Sequence, residues 1–231
     1  MGFNDIEIIA FDGDDTLWVN EPFYQDIEKE LCRMLQEYLP AKEVSARLLR
    51  TEVNNLELYG YGAKAFLLSL IETAISVSGS QVSASVINRI IGMGKQMLSN
   101  PVQLLDGVAG VLKELKQRYT LILATKGDLL DQQRKLSKSG LIHYFHHIEI
   151  MSDKQDENYN ELFRVAGVEP GKFLMVGNSM KSDILPILRL GGKAVFVPFH
   201  TTWQHETIDE EPANKINYRK VDKISEIINF L

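Results

Sequence analysis

Three carboxylates, Asp12, Asp14 and Asp15, stand within four residues in the string FDGDDTLW at positions 11–18. They follow a short apolar run, residues 6–11, interrupted only by Glu7. Such a run reads as a strand of a parallel sheet, buried on both faces. In an extended chain alternate residues point the same way, so Asp12 and Asp14 face one site with the small Gly13 between them. Two carboxylates a few ångströms apart do not both stay ionised without compensation. Mg²⁺ supplies it, because this hard cation takes carboxylate and carbonyl oxygens as ligands. The competing reading is a polar turn in which Asp15 or Thr16 caps neighbouring amides. Capping needs one carboxylate rather than three, so the string points to a divalent cation and, beside it, a phosphate.

The elements that must position these acids follow from hydrophobic spacing. Tyr24, Ile27, Leu31, Met34, Leu35 and Tyr38 form a helical stripe that Pro40 ends. Val44, Leu48, Leu49, Val53 and Leu56 form a second, and GYG at 60–62 breaks it. Residues 65–77 make a third helix, and Val86, Ile87, Ile90, Ile91, Met97 and Leu98 mark a fourth. The expectation is an all-helical insert over 21–99, interrupting a core made of 1–20 and 100–231. Beyond Pro101 strands are predicted at 120–125, 147–151, 172–177 and 194–198. Helices are predicted from an Asp106 N-cap to Leu115, from an Asp128 cap to Gly140, and over 158–165, 182–190 and 221–231. Strands alternating with helices imply an α/β fold with a doubly wound parallel sheet. Ligands bind beyond the carboxyl ends of such strands. The informative residues are therefore 12–16, 125–128, 152–154, 177–183 and 200–206; Lys172 stands too early in its strand to reach that end.

The chain has 231 residues, 45% of them hydrophobic and 24% charged, enough for a substantial core. Its net charge is −6 and no Lys/Arg block stands out, which argues against nucleic acid or an anionic membrane as partner. Attraction for an anionic substrate must be local. Cys32 is the single cysteine, so no intrachain disulfide forms, as suits a reducing compartment. The first residues lack the features of a signal peptide, and no run reaches the ~18 apolar residues of a membrane span. The expectation is a soluble, cytoplasmic protein acting on a small-molecule phosphate, with its oligomeric state left open.

FDGDDTLW resembles the first motif, D-x-D-x-T after a buried strand, of the haloacid dehalogenase-like hydrolase superfamily. The resemblance runs over 1–20 and 100–231 and implies a Rossmannoid core, with 21–99 in the place of the family's helical C1 cap. It implies that Asp12 is the nucleophile that takes the phosphoryl group. It implies that Asp14 is the general acid/base with its carbonyl on Mg²⁺, and that Thr16 supports the loop. The family's dehalogenases have Tyr, and its transport ATPases Thr, where this chain has Asp14, which favours a phosphatase or phosphomutase. Asp15, where many members have Gly, is given no catalytic role. Thr125 resembles the second motif, a hydroxyl on a phosphoryl oxygen. Many relatives continue with Asn-Gly; here Lys126 and Gly127 join the implied substrate-binding set, and Lys126 either adds a cation near the phosphate or points to solvent. Lys154 resembles the third motif, a lysine tying nucleophile to phosphate. VGNSMKSDI at 176–184 resembles the fourth, G-D-x-x-x-x-D, with Asn178 in place of the first acid. The implied metal set is Asp12, Asp14, Asn178 and Asp183, with either Asn178 or Asp183 as the direct ligand. Ser182-Asp183 also reads as a helix N-cap and first-turn acid, which Pro186 fits.

HTTWQHE at 200–206 gathers His, Trp and Glu, either as ligands or as an ordinary loop. Trp18 is read as packing where the chain leaves the core, and Tyr59, Tyr61 and Lys64 as contacts of the insert. Some uncharacterised bacterial members of the superfamily carry similar TLW…E, TKGD, GNS..SD and TW.HE strings. A cap closing over the site excludes water and admits only a small substrate. The leading expectation is a Mg²⁺-dependent phosphatase working through an aspartyl phosphate on Asp12. A phosphomutase returning the phosphoryl group to a sugar is a second. A protein that binds a phosphometabolite without turnover is a third; Asn178 speaks for it, and the set of Asp12, Asp14, Thr125 and Lys154 against it.

Overall fold

The computed structural model describes residue 3, residues 5–208 and residues 217–231. Among the described residues six parallel strands form one sheet in the order β3-β2-β1-β4-β5-β6. They are β1 (Ile8–Phe11), β2 (Thr120–Lys126), β3 (His147–Met151), β4 (Phe173–Gly177), β5 (Lys193–Phe196) and β6 (Tyr218–Lys220). Each face of the sheet carries its own core, because successive side chains alternate. Ile9 and Phe11 of β1 pack with Val111, Leu112 and Leu115 of α5 (Val108–Leu115). Ile8 and Ala10 face the other way, onto Tyr159, Leu162 and Phe163 of α7 (Asp156–Ala166). Of the other two helices, α6 (Leu129–Ser139) packs Leu136 on the α5 side and α8 (Leu185–Arg189) packs Ile187 on the α7 side. Chain order runs outward from β1 through β2 to β3, and from β4 through β5 to β6, so the direction of winding reverses between β1 and β4. That reversal opens a crevice at the strands' carboxyl ends.

Between β1 and β2 lie four helices: α1 (Glu21–Met34), α2 (Ala41–Tyr59), α3 (Ala63–Val77) and α4 (Ala84–Ser99). They bury a core of their own, in which Leu31, Leu35, Leu48, Leu70 and Ile90 are each at most 1% exposed. The outgoing and returning chains are bonded to each other: Val19 N–H donates to Gln103 O at 2.9 Å and Leu105 N–H to Leu17 O at 3.0 Å. Among the described residues no helix is long and apolar enough to cross a membrane.

Several local expectations need correction. Asp106 does not cap α5; the cap position is Gly107, whose φ of 83° is left-handed and open to glycine at little cost. Ser182 is not the cap of the helix predicted over 182–190. Ser179 takes that role, its Oγ accepting from Ser182 N–H at 3.0 Å, and the segment opens as a π-helical turn, Met180–Ile184, before the short α8. The chain end winds as a 3₁₀ helix, Ile224–Asn229, rather than an α-helix. Strand β6 was not anticipated. Asp128 and Gly140 do bound α6: Asp128 accepts from Asp131 N–H at 3.0 Å, and Gly140 adopts the left-handed conformation.

Candidate active site

Asp12 leaves β1 with its N–H bonded to Val176 O of β4 at 2.9 Å. The chain then turns back sharply: Leu17 N–H donates to Gly13 O at 2.8 Å and Asp15 N–H to Trp18 O at 2.7 Å. Gly13 is required by space, since a Cβ there would lie 2.7 Å from the Trp18 ring and 3.2 Å from Thr125 Oγ1. Asp15, at a φ of 60°, turns its carboxylate to the amides that start α1, accepting from Asn20 N–H at 2.8 Å and Glu21 N–H at 2.9 Å. Asp15 is thus the capping residue of the acidic string.

The floor of the crevice is a buried charge triad. Lys154 is 1% exposed and its Nζ donates to Asp12 Oδ1 and to Asp183 Oδ1, both at 2.6 Å. Burial opposes the Lys154 ammonium, but the carboxylates of Asp12 and Asp183 outweigh it and hold it well above the usual lysine range. Burial pushes Asp12 up to about 7, against the pull of Lys154 and with the push of Asp183. Asp183 Oδ2 accepts from Ser179 N–H at 2.9 Å, so both its oxygens are engaged. A Cβ at Gly177 would fall 2.3 Å from that carboxylate, which explains the glycine ending β4. Thr16 Oγ1 lies 3.2 Å from Asp12 Oδ2 and 3.3 Å from Asn178 Oδ1. One hydroxyl proton serves two oxygen acceptors there.

Asp14 is held by residues far along the chain. Its Oδ1 accepts from Trp18 Nε1 at 2.6 Å and Lys135 Nζ at 2.9 Å, and its Oδ2 from Gln132 Nε2 at 2.9 Å and Lys135 Nζ at 3.0 Å. Among the described residues no backbone N–H is bonded to its carbonyl. Burial would lower Lys135, yet Asp14 and Asp131 beside it raise it. Thr125 closes the floor at 1% exposure, and its hydroxyl has no hydrogen-bond partner.

Lys126 lines the cavity rather than pointing to solvent, and is paired within the protein. Its Nζ donates to Glu206 Oε1 at 2.6 Å and Ser182 Oγ at 2.8 Å, and sits 4.1 Å from the centre of the Tyr61 ring. Glu206 Oε2 accepts from Ser179 Oγ and Ser182 Oγ, both at 2.6 Å. Burial opposes the Glu206 carboxylate, but Lys126 and these hydroxyls bring it down to about 2. Gly127 lies off the cavity wall with its N–H bonded to Met151 O at 3.2 Å. Of the three tentative insert contacts only Tyr61 lines the cavity; Lys64 pairs with Asp128 at 2.9 Å, and Tyr59 bonds Glu72 on the surface.

Asp12, Asp14, Thr125, Lys126, Lys154, Asn178 and Asp183 thus line one cavity of about 170 Å³, roofed by α1, α2 and α3. A family model described as haloacid dehalogenase-like hydrolase matches residues 6–191. The chain belongs to that family. A crystal structure of a haloacid dehalogenase-like family hydrolase from Xanthomonas campestris superposes with a TM-score of 0.85 at 35% identity, covering 96% of this chain and 88% of that one. YfnB from Bacillus subtilis, a HAD-hydrolase crystallised with magnesium, superposes at 0.67 with 17% identity over 99% of both chains. The mouse N-acylneuraminate-9-phosphatase is 32% identical over 96 residues, and the chain spans only 39% of that relative's length. The human enzyme is 23% identical over 205 residues, 84% of this chain and 83% of its own.

Sequence reading missed Trp18, Gln132 and Lys135 as holders of Asp14, and Glu206 as the hub of the second cluster. Gln132 and Lys135 are three apart on α6 and share a face, but nothing local says that this face meets the first strand's loop. Glu206 was marked within its His/Trp/Glu string, without a partner to give it meaning.

Proposed function

We propose that the protein is a Mg²⁺-dependent phosphatase of small phosphate monoesters working through an aspartyl phosphate on Asp12, with residues 21–99 as a cap over a core of 1–20 and 100–231. The observation that carries this reading is the floor itself. A buried carboxylate is fixed by a buried lysine, and beside it stands the unpartnered hydroxyl of Thr125 in a roofed cavity. A hydroxyl buried without a partner is costly, and a phosphoryl oxygen would accept its proton. The phosphatase names of the mouse and human relatives support the same class.

The residues present fit Mg²⁺. Asp12 and Asn178 turn oxygens to the same Thr16 hydroxyl, which cannot donate to both at once, and the Asp14 carbonyl carries no backbone bond. We assign these three as the ligands, with Asp183 behind them, its carboxylate occupied by Lys154 and Ser179. When bound, the cation would neutralise charge on the phosphoryl oxygens. Magnesium in the similarly folded YfnB supports the choice of metal.

An Asp12 oxygen attacks phosphorus, a P–O(Asp12) bond forms, and the bond to the leaving alcohol breaks. In its protonated form, with one oxygen released from Lys135, Asp14 gives that alcohol its proton; as the carboxylate it then takes one from water, which attacks phosphorus and releases inorganic phosphate from Asp12. Lys154 keeps Asp12 directed into the cavity, and Thr125 donates to a phosphoryl oxygen. The helices above exclude bulk water. The single buried thiol of Cys32 suits the cytoplasm, where we place the protein.

The test is release of nitrophenol from p-nitrophenyl phosphate with and without Mg²⁺, with Asp12→Asn as control. Metal-dependent release that the substitution removes is expected. Metal-independent release, or a wild type no faster than the variant, rejects the reading.

A further inference from the structure

The roof of the cavity has a composition that the chemistry of the floor does not need. Glu21 and Glu28 of α1 and Glu52 of α2 all line it. Among the described residues none of the three makes a salt bridge. Ser45 Oγ donates to Glu28, the donors beside Glu21 and Glu52 are the neutral Gln25 and Trp203, and no lysine or arginine acts on either acid. Among the described residues the cavity is lined by only two cationic side chains, and both are spent on the floor: Lys154 on Asp12 and Asp183, Lys126 on Glu206. Burial pushes Glu21 up to about 8, with Asp15 adding to it, and pushes Glu52 up to about 8, with Glu28 adding to it. An arriving cation would relieve both. A purely structural role at these positions would be met more cheaply by uncharged side chains. A second observation shows that the same cavity awaits a ligand: the Thr125 hydroxyl, 1% exposed and without a partner, faces it from below.

We propose that the roof carboxylates Glu21, Glu28 and Glu52 bind a protonated amine on the alcohol part of the ester, so that the substrate class is an amino-alcohol or amino-sugar phosphomonoester. The assignment rests on the phosphatase reading of the floor, which takes the phosphoryl end. A protonated amine donates up to three charge-assisted hydrogen bonds to carboxylates. A leaving group bearing a second anion meets three acids and no free cation, so it gains no counter-charge there and is disfavoured.

The test is kcat/KM on matched phosphates: phosphoethanolamine, 2-hydroxyethyl phosphate and 2-phosphoglycolate, then glucosamine 6-phosphate against glucose 6-phosphate. The amine member of each set should exceed its hydroxyl counterpart by about tenfold or more, with the carboxylate member last. Glu52→Gln and Glu28→Gln, each checked for folding by circular dichroism, should bring the amine-to-hydroxyl ratio close to one, chiefly through KM. Calorimetric binding of the same compounds to Asp12→Asn separates the two claims. Turnover that depends on Asp12 but ignores the amine overturns the roof assignment and leaves the phosphatase standing. Amine-selective binding to Asp12→Asn without turnover by the wild type keeps the roof assignment and overturns the phosphatase. Neither binding preference nor turnover overturns both.

Discussion

At the floor of the cavity Asp12 and Asp183 share one lysine at 2.6 Å each, and Asp14 has four donor contacts from three side chains. On the roof Glu21, Glu28 and Glu52 have no cationic partner among the described residues. The floor's acids are thus largely compensated within the protein, whereas the roof's remain a standing electrostatic cost. Acids that the fold pairs internally are preorganised for one reaction, because their positions are set before any ligand arrives. Acids left without a cation in a roofed cavity gain one from the ligand. On the proposed function the two halves divide labour accordingly, with chemistry below and choice of leaving group above.

The sharpest way to break this comparison is to remove one group from the floor. Asp12→Asn should lower aryl phosphate hydrolysis by at least about 10⁴-fold with the fold kept, as for other covalent nucleophiles; near-normal turnover would sink the division of labour. Lys154→Met leaves Asp12 and Asp183 buried without their shared cation. Breaking a buried pair in this way costs about 3–5 kcal/mol. For a chain of this length that is a fall in Tm of roughly 10 °C or more, measured by calorimetry. An unchanged Tm would mean that the triad contributes little.

The roof should respond in the opposite direction. Glu52 is pushed up to about 8 in the folded protein, from an ordinary 4.5. The folded state therefore binds more protons than the unfolded one between pH 4.5 and 8, and stability falls as pH rises through that window. Glu52→Gln should stabilise the metal-free protein at pH 9 by on the order of 2 kcal/mol and change little below pH 4. A gain of equal size at both pH values would contradict the electrostatic origin of the cost. Trp18→Phe should have the smallest effect. It removes the indole donor to Asp14 and leaves a void where the larger ring packed, so kcat should fall about tenfold, the worth of one charge-assisted bond, and Tm by a few degrees. A loss in Tm without one in kcat would assign Trp18 to packing alone.

The strands of the sheet's centre were legible because each is an apolar run ended by a polar residue, and the helices between β1 and β2 because their apolar residues recur at three and four. The edge strand β6 was not, since its three residues, Tyr-Arg-Lys, carry no apolar signal and pair on one side only. Asp106 looked like a cap by type, but Gly107 wins the position by conformation. The floor residues could be named because each follows a strand and the topology sends every strand end to one edge. What orients them could not. Lys135 and Gln132 reach Asp14 across 121 and 118 positions, and Glu206 reaches Lys126 across 80. Contacts at that separation are set by tertiary packing and leave no periodic trace in the chain. The roof acids were hidden for a related reason. On amphipathic helices Glu21, Glu28 and Glu52 look like solvated positions, and only the folded arrangement turns them inward.

On the proposed mechanism Asp12 itself carries the phosphoryl group. The most direct measurement is rapid acid quench during turnover of p-nitrophenyl phosphate with Mg²⁺, followed by peptide mapping by mass spectrometry. The account predicts a phosphoryl adduct on the peptide containing Asp12, absent from Asp12→Asn and lost when the quench follows substrate exhaustion. Full turnover with that peptide unmodified at every quench time, or with the adduct on another residue, would contradict it.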